Sequence, residues 1–129
     1  MKRLLVVDDA LFMRKLIRGV AEEAGWEVVG EAGNGEEGVS LYRQMRPDLV
    51  TMDLVMPVMG GLEALRKIRE LDPDAQVIVV TALDQKQALM DSIRDGAIDF
   101  IVKPFERERV LNLLRKLGDS APAGDTPRA

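Results

Sequence analysis

The sequence predicts one α/β domain: a doubly wound, five-stranded parallel sheet with helices on both faces. Short apolar runs alternate five times with longer segments of helical periodicity, which is typical of successive β–α units. The strand runs are apolar throughout rather than alternating, as expected for a sheet buried on both faces. A length of 129 residues suits one ordinary domain and is too short for two.

The first unit begins with a strand at Leu4–Val7, which ends at the acidic pair Asp8-Asp9. Residues 11–24 follow with helical spacing, and Gly25 is suited to end this helix. Its apolar face is expected to contain Met13, Leu16, Ile17, Val20 and Ala24. Its basic side chains are expected to form a solvated face: Arg14, Lys15 and Arg18.

The remaining four units repeat the same order. The predicted strands are Glu27–Glu31, Leu49–Met52, Val77–Val80 and Phe100–Val102. The predicted helices are Gly35–Met45, Leu62–Leu71, Gln85–Asp95 and Glu106–Leu117. The domain is therefore expected to cover residues 1–118. Residues 119–129 contain little that could be buried, which predicts a disordered tail or the start of a linker.

The composition excludes several kinds of chemistry. The chain has no cysteine and no histidine, so thiol nucleophiles, Ser–His catalysis and imidazole metal ligands are excluded within it. The net charge of −4 argues against nucleic-acid binding, which usually needs a basic surface. No apolar run is long enough for a signal peptide or a membrane span, so a cytoplasmic location without membrane insertion is expected.

Polar side chains follow four of the predicted strands. Asp8 and Asp9 end the first strand, Asp53 the third, Thr81 the fourth and Lys103 the fifth. In open α/β sheets, ligands bind at the carboxyl ends of the strands. These side chains are therefore expected to converge on one edge of the sheet.

The residue types in this group indicate phosphoryl transfer to a carboxylate. Three carboxylates repel one another, and Mg²⁺ or Mn²⁺ with its preference for hard oxygen ligands would relieve that repulsion. An aspartate can attack a phosphoryl group and form an aspartyl-phosphate. Lys103 would stabilise the charge on the transferred group, and the Thr81 hydroxyl could donate a hydrogen bond to it.

Five motifs in order resemble the receiver domain of two-component response regulators and cover residues 1 to 118. They are Val6-Val7-Asp8-Asp9, Met52-Asp53-Leu54-Val55-Met56-Pro57, Gly60-Gly61, Val80-Thr81-Ala82 and Val102-Lys103-Pro104-Phe105. The resemblance implies a flavodoxin-like (βα)5 fold with strand order 2-1-3-4-5.

It also implies the cation site and the acceptor. Asp53 would be the phosphoacceptor, and Asp9 and Asp53 would bind Mg²⁺ directly, with Asp8 acting mainly through a metal-bound water. The backbone carbonyl of Val55 would be a further ligand. Such a protein is not an enzyme in the usual sense, because it assists its own phosphorylation. Val55 and Leu83 are apolar where receivers hold the attacking water, so slow self-dephosphorylation is expected.

The conformational switch is implied in the same way. Thr81 and the backbone at Ala82 would move toward the phosphoryl group, and Lys103 would contact that group. The bond from Lys103 to Pro104 is expected to be cis. Phe100 stands where the family has a rotating aromatic residue that is often tyrosine. The output surface would be formed by the fourth helix, the fifth strand and the fifth helix.

The segment from Asp9 to Ile17 is similar to the first helix of CheY-like chemotaxis receivers, as is Val50-Thr51-Met52-Asp53. This resemblance implies a chemotaxis-type histidine kinase as donor and an output protein such as the flagellar motor switch as target. A phosphatase is a further possible partner. The protein is expected to be a monomer.

Three alternatives remain at the level of sequence. The chain could be the receiver part of a longer regulator, such as a methylesterase or a transcription factor, cut in its linker. It could be a haloacid-dehalogenase-like phosphatase, although that class needs a second aspartate where this chain has Val55. It could also be a degenerate receiver acting as an interaction module, although such receivers usually lose a site residue that is present here.

Overall fold

The computed structural model describes residues 2–82 and 84–120. Five strands and five helices alternate within them, which confirms the predicted β–α pattern. The strands are β1 (Lys2–Val7), β2 (Trp26–Ala32), β3 (Leu49–Asp53), β4 (Val77–Ala82) and β5 (Asp99–Lys103). The helices are α1 (Leu11–Glu23), α2 (Gly35–Met45), α3 (Gly61–Leu71), α4 (Lys86–Arg94) and α5 (Arg107–Ser120).

The observed bounds differ little from the predicted ones. Every strand is one or two residues longer than predicted, because pairing continues into the flanking residues at the strand ends. Gly25 follows α1 with a φ of 95°, a left-handed conformation that suits glycine at a helix end. Helix α5 continues to Ser120, two residues beyond the predicted domain boundary. Residues 121–129 of the predicted tail lie outside the described residues.

All strand pairs are parallel, in the order β2-β1-β3-β4-β5, as the resemblance implied. The chain runs from β1 to one edge of the sheet at β2 and then returns to β3 on the other side of β1. This reversal opens a crevice at the carboxyl ends of β1 and β3, where ligands bind in sheets of this kind.

The core has two layers, one on each face of the sheet, because successive strand residues point to opposite faces. Leu4 and Val6 pack with Ile17 and Val20 of α1 and with the apolar side of α5. On the other face, Leu5 and Val7 pack against α2, α3 and α4. Within the described residues, no helix is long and apolar enough to cross a membrane.

One prediction for α1 is wrong. Helical spacing predicts Leu16 on the buried face of the helix, but its side chain is 40% exposed. The helix instead buries Ile17, Val20 and Ala21 against the sheet. The buried face of α1 is rotated by about one residue from the predicted one, which leaves Leu16 at the solvent-exposed edge of this face.

Candidate functional site

The strand ends bring the predicted polar side chains together. In the parallel register Val7 pairs with Met52, Asp53 with Val80 and Thr81 with Val102, so β1, β3, β4 and β5 end at nearly the same level. The Lys103 ammonium lies 3.1 Å from Asp8 Oδ2 and 3.3 Å from Asp53 Oδ2. The predicted convergence is confirmed for Asp8, Asp9, Asp53 and Lys103, which we call the acid pocket, and Thr81 stands near the end of the neighbouring strand β4.

Asp8 is fully buried, and most of its polar atoms have partners. Its main-chain N–H donates to the Ala32 carbonyl over 3.0 Å, which continues the pairing of β1 with β2. Its Oδ1 accepts a 2.9 Å hydrogen bond from the Ala10 N–H. Its Oδ2 accepts no hydrogen bond from the described residues and faces the Lys103 ammonium as an ion pair. One carboxylate oxygen is therefore buried, charged and available to a further ligand.

Asp53 ends β3 with a side chain that is also almost fully buried. Its Oδ1 accepts a long hydrogen bond of 3.4 Å from the Val55 N–H. Burial and the charge of Asp8 raise the pKa of Asp53, whereas Lys103 acts in the opposite direction. Burial works against the charge of Lys103, but Asp53 and Asp8 together raise the pKa of its ammonium. The pocket thus combines a desolvated carboxylate with a firmly protonated lysine.

The arrangement of oxygens fits a divalent cation. Asp8, Asp9 and Asp53 each offer one carboxylate oxygen, and these three oxygens lie within 4.8 Å of one another. Two of the residues are buried, and Asp9 is exposed and open to solvent. Hard carboxylate oxygens are the ligands that Mg²⁺ prefers, usually with several waters retained. Asp8 Oδ2 is buried and accepts no hydrogen bond from the described residues apart from its ion pair with Lys103, and three carboxylates with one lysine leave the pocket two positive charges short, which one divalent cation would supply.

These carboxylates do not cap the following helix. The residue at the N-cap of α1 is Ala10, which makes no side-chain cap hydrogen bond, and the first turn contains no acidic residue among those described. Asp8 Oδ1 bonds to the N–H of Ala10 itself and so closes a local turn. The acidic pair is therefore directed toward the pocket.

The loop that follows Asp53 is held close to its own strand. The Leu54 N–H donates to the Val80 carbonyl over 3.1 Å, and the Gly61 N–H donates to the Leu54 carbonyl over 3.0 Å. A side chain at position 61 would collide with the Asp53 carbonyl, so glycine is required there. The Val55 side chain is 59% exposed, and the role of its carbonyl as a metal ligand stays a prediction.

The predicted switch residues Thr81 and Phe100 lie on β4 and β5. Thr81 is buried, and its Oγ1 donates to the Ala82 carbonyl over 3.2 Å. Phe100 is partly buried and packs against the core on the α2, α3 and α4 face. The Lys103–Pro104 bond is cis, as the resemblance implied. Leu83, which was expected near the attacking water, lies outside the described residues.

A cavity of about 350 Å³ lies beside Thr81 and is lined by Thr81, Ala82, Lys86, Leu89 and Val102.

The prediction that Arg14 belongs to a solvated helix face is wrong. Its side chain is only 19% exposed. Its Nη1 donates to the Asp8 carbonyl over 2.8 Å, and its Nε donates to Glu31 Oε1 over 3.0 Å. The available signal was its position three residues before Ile17, which puts it beside the buried stripe of α1.

Comparisons with known proteins agree with this geometry. The family model described as "Response regulator receiver domain" matches residues 4–115. The chemotaxis protein CheY of Thermotoga maritima is 47% identical over 116 residues, covering 90% of this chain and 97% of that protein. A crystal structure of the CheX-CheY-BeF3-Mg+2 complex from Borrelia burgdorferi has a TM-score of 0.83 at 36% identity, covering 92% of this chain and 88% of that one.

A longer relative is also similar. The protein-glutamate methylesterase/protein-glutamine glutaminase of Alkalilimnicola ehrlichii is 40% identical over 140 residues, which cover 98% of this chain but 36% of that protein. Its match lies at lower identity than that of the CheY protein. The family match, the strand order and the site residues agree, and the chain belongs to the response regulator receiver domain family.

Proposed function

We propose that this chain is a CheY-like, phosphorylation-activated switch that accepts a phosphoryl group on Asp53 from a histidine kinase, in the presence of Mg²⁺ or Mn²⁺. The observation that carries the proposal is the position of Asp53, a buried carboxylate 3.3 Å from the Lys103 ammonium. Asp8 and Asp9 stand beside it with oxygens suited to a cation. Family membership supports the same role.

The chain's own residues account for most of the chemistry. Asp8, Asp9, Asp53 and the carbonyl of Val55 would hold the cation, which supplies positive charge against the phosphoryl oxygens. An Asp53 oxygen attacks phosphorus, the bond from phosphorus to its donor breaks, and the donor leaves with the electron pair. Lys103 neutralises charge on the transferred oxygens, and the Thr81 hydroxyl donates a hydrogen bond to one of them.

The conformational change that follows phosphorylation would reach the protein surface through Thr81 and Phe100. Phe100 and Val102 are two residues apart on β5 and therefore point to the same side, and Val102 lines the cavity beside Thr81. When Thr81 and Ala82 move toward the phosphoryl group, Phe100 can turn into this cavity. Since Phe100 has no hydroxyl, packing alone would favour the inward position. The population shift would alter the face formed by α4, β5 and α5.

That face has features of a partner-binding surface. Met90 is 52% exposed, Ile93 44% and Ile98 41%, and they lie on α4 and just after it. Exposed polar residues on the same face include Gln87, Arg94, Arg107 and Asn112.

Similarity to chemotaxis proteins favours an output protein of motility, such as the flagellar motor switch, as the partner. The Borrelia CheY is similar in structure and was crystallised with CheX, which favours a phosphatase of that kind as a further partner. A monomer in the cytoplasm, without nucleic-acid contact, is the form we propose.

The test of phosphorylation uses a small phosphoryl donor, because no kinase is then needed. The protein is incubated with acetyl phosphate or phosphoramidate and Mg²⁺, and its intact mass is measured. One phosphate increment is expected for the wild type and for Asp74→Asn, which changes an exposed aspartate in the α3–β4 connection. Asp53→Asn should show none. Equal phosphorylation of the Asp53 variant would refute the proposal.

The phosphorylated form is expected to be long-lived, because the apolar Val55 side chain cannot orient an attacking water. Val55→Asn, which introduces an amide at the same exposed position, should shorten the lifetime in Mg²⁺. Decay is followed by loss of the phosphate mass increment after removal of the donor. A wild-type lifetime of only seconds would contradict this expectation.

A second candidate is the receiver part of a longer regulator. The methylesterase relative favours it, because the chain matches only 36% of that protein. The phosphoryl chemistry would be unchanged, and the output would act on an attached domain. The phosphatase alternative gains no support, since Val55 occupies the position where that class needs a second aspartate.

A further inference from the structure

The Arg14 side chain links two strand ends that border the acid pocket. Its guanidinium donates to the Asp8 carbonyl, at the end of β1, and to Glu31, near the end of β2, over 2.8 and 3.0 Å. A planar guanidinium offers several donors in a fixed geometry and can make both bonds at once. Arg14 therefore ties the acidic turn to the neighbouring strand.

The contacts of Asp8 explain why this tie matters for the site. The Asp8 N–H is held by Ala32, its Oδ1 by the N–H of Ala10 and its carbonyl by Arg14. Two of these contacts come from backbone atoms, whereas the third comes from a long side chain. Together they set the direction of the fully buried Oδ2, the atom that faces Lys103. Loss of the Arg14 bond would free the peptide that joins Asp8 to Asp9.

Glu31 in turn fixes the orientation of Arg14. Its Oε2 accepts a 2.7 Å hydrogen bond from Arg18 Nε while its Oε1 accepts from Arg14. Burial alone would raise the pKa of Glu31, but the hydrogen bonds from Arg18 and Arg14 hold it below its ordinary value. We call Arg14, Arg18 and Glu31 the arginine clamp. Within it, the Glu31 carboxylate keeps the guanidinium of Arg14 directed at the Asp8 carbonyl, whereas Arg18 contacts neither Arg14 nor Asp8 in the hydrogen bonds of the described residues.

We propose that Arg14 is a positioning residue for the acid pocket, which holds the Asp8-Asp9 turn in the geometry that binds a divalent cation. The inference rests on the proposed function, because that function requires the cation. Arg14 would act through the backbone of Asp8 and would touch neither the cation nor the phosphoryl group. Residues that orient metal ligands in this way typically contribute about 10- to 100-fold to metal affinity.

The experiment compares Arg14→Gln with Arg18→Gln in the full chain. The two arginines lie one turn apart on α1 and both bind Glu31, but the other hydrogen bond of Arg18 goes to Glu22 rather than to Asp8. Mg²⁺ affinity is measured by calorimetry, and amide shifts of residues 8–10 are recorded without cation. Phosphorylation by acetyl phosphate is measured at several Mg²⁺ concentrations. Thermal unfolding shows whether each variant is folded.

Arg14→Gln is expected to weaken Mg²⁺ binding about tenfold and to shift the amides of residues 8–10. Phosphorylation should then need correspondingly more Mg²⁺, and Arg18→Gln should stay close to the wild type. Arg14→Lys should recover part of the affinity, since an ammonium can still donate to the Asp8 carbonyl, and it replaces Arg14→Gln if that variant does not fold.

Equal effects of the two substitutions, or no effect of either, would overturn the positioning role and leave the proposed function intact. A wild-type protein that binds no Mg²⁺ and takes no phosphate on Asp53 would instead overturn the proposed function, and this inference with it. The two failures are therefore distinguishable.

Discussion

The acid pocket and the arginine clamp are neighbouring charged clusters that differ in their balance of positive and negative charge. In the clamp, Glu31 accepts two hydrogen bonds from arginines, and its pKa is lowered. The pocket has three carboxylates and one lysine, which pairs with Asp8 and Asp53, and burial and the charge of Asp8 raise the pKa of Asp53. Charges that satisfy one another stabilise the fold. An excess of buried negative charge destabilises it unless a cation binds, so the imbalance supports the proposed role of the acid pocket as a cation site.

The largest expected effect comes from removing the positive charge of the pocket. Lys103→Met leaves Asp8 and Asp53 buried without an opposite charge, so the free energy of unfolding should fall by about 3 kcal/mol in cation-free buffer. Added Mg²⁺ should restore part of the loss. Urea unfolding with and without EDTA measures both effects. Lys67→Met, at an exposed position on α3, is the control, and an equal loss in both variants would contradict the prediction.

The free energy of unfolding is expected to rise, rather than fall, when a carboxylate of the pocket is neutralised. Burial of Asp53 and the charge of Asp8 raise the pKa of Asp53, so its charge is unfavourable in the folded protein; Asp53→Asn removes that charge, and the cation-free protein should become more stable by about 2 kcal/mol. The same variant should gain less stability from Mg²⁺ than the wild type. Thermal and urea unfolding test this against Asp74→Asn. A destabilised Asp53 variant would show that the pocket is not strained by its own charge.

A smaller and pH-dependent effect is expected in the clamp. Glu31→Gln should cost about 1 kcal/mol at neutral pH, because a charged hydrogen-bond acceptor is lost. The pKa of Glu31 is lowered in the folded state, so its contribution is present above the ordinary glutamate value of about 4.3 and is lost as the pH falls through the folded pKa. Urea unfolding at several pH values should therefore show a difference from wild type that shrinks in acid. Glu27→Gln, exposed on the same strand, should show no such pH dependence.

The two clusters also differ in how readily sequence patterns detect them. Asp8, Asp9, Asp53, Thr81 and Lys103 are predictable because each ends a recognisable strand, and parallel strands bring their carboxyl ends to one edge. Only the order of elements along the chain is needed for this. The strand order in the sheet came from family resemblance, since apolar periodicity does not say which strands are neighbours. The structure confirms the order.

The burial of Arg14 and the exposure of Leu16 could not be predicted in the same way. Both lie at the border of the apolar stripe of α1, where a rotation of one residue decides whether a side chain is buried or exposed. The structure leaves Leu16 exposed and directs Arg14 to the Asp8 carbonyl. Helical spacing gives the width of the buried stripe, whereas its edges depend on how the helix packs against the sheet.

The sequence by itself determined the β–α alternation, the family and the acidic, histidine-free character of the site, because these follow from residue types and their order along the chain. Only the tertiary structure decided which atom of Asp8 lacks a hydrogen bond and which arginine supports it. Such contacts join residues of different strands and helices, and their geometry depends on the packing of all the elements around them. The balance of charge in each cluster is therefore a property of the folded chain.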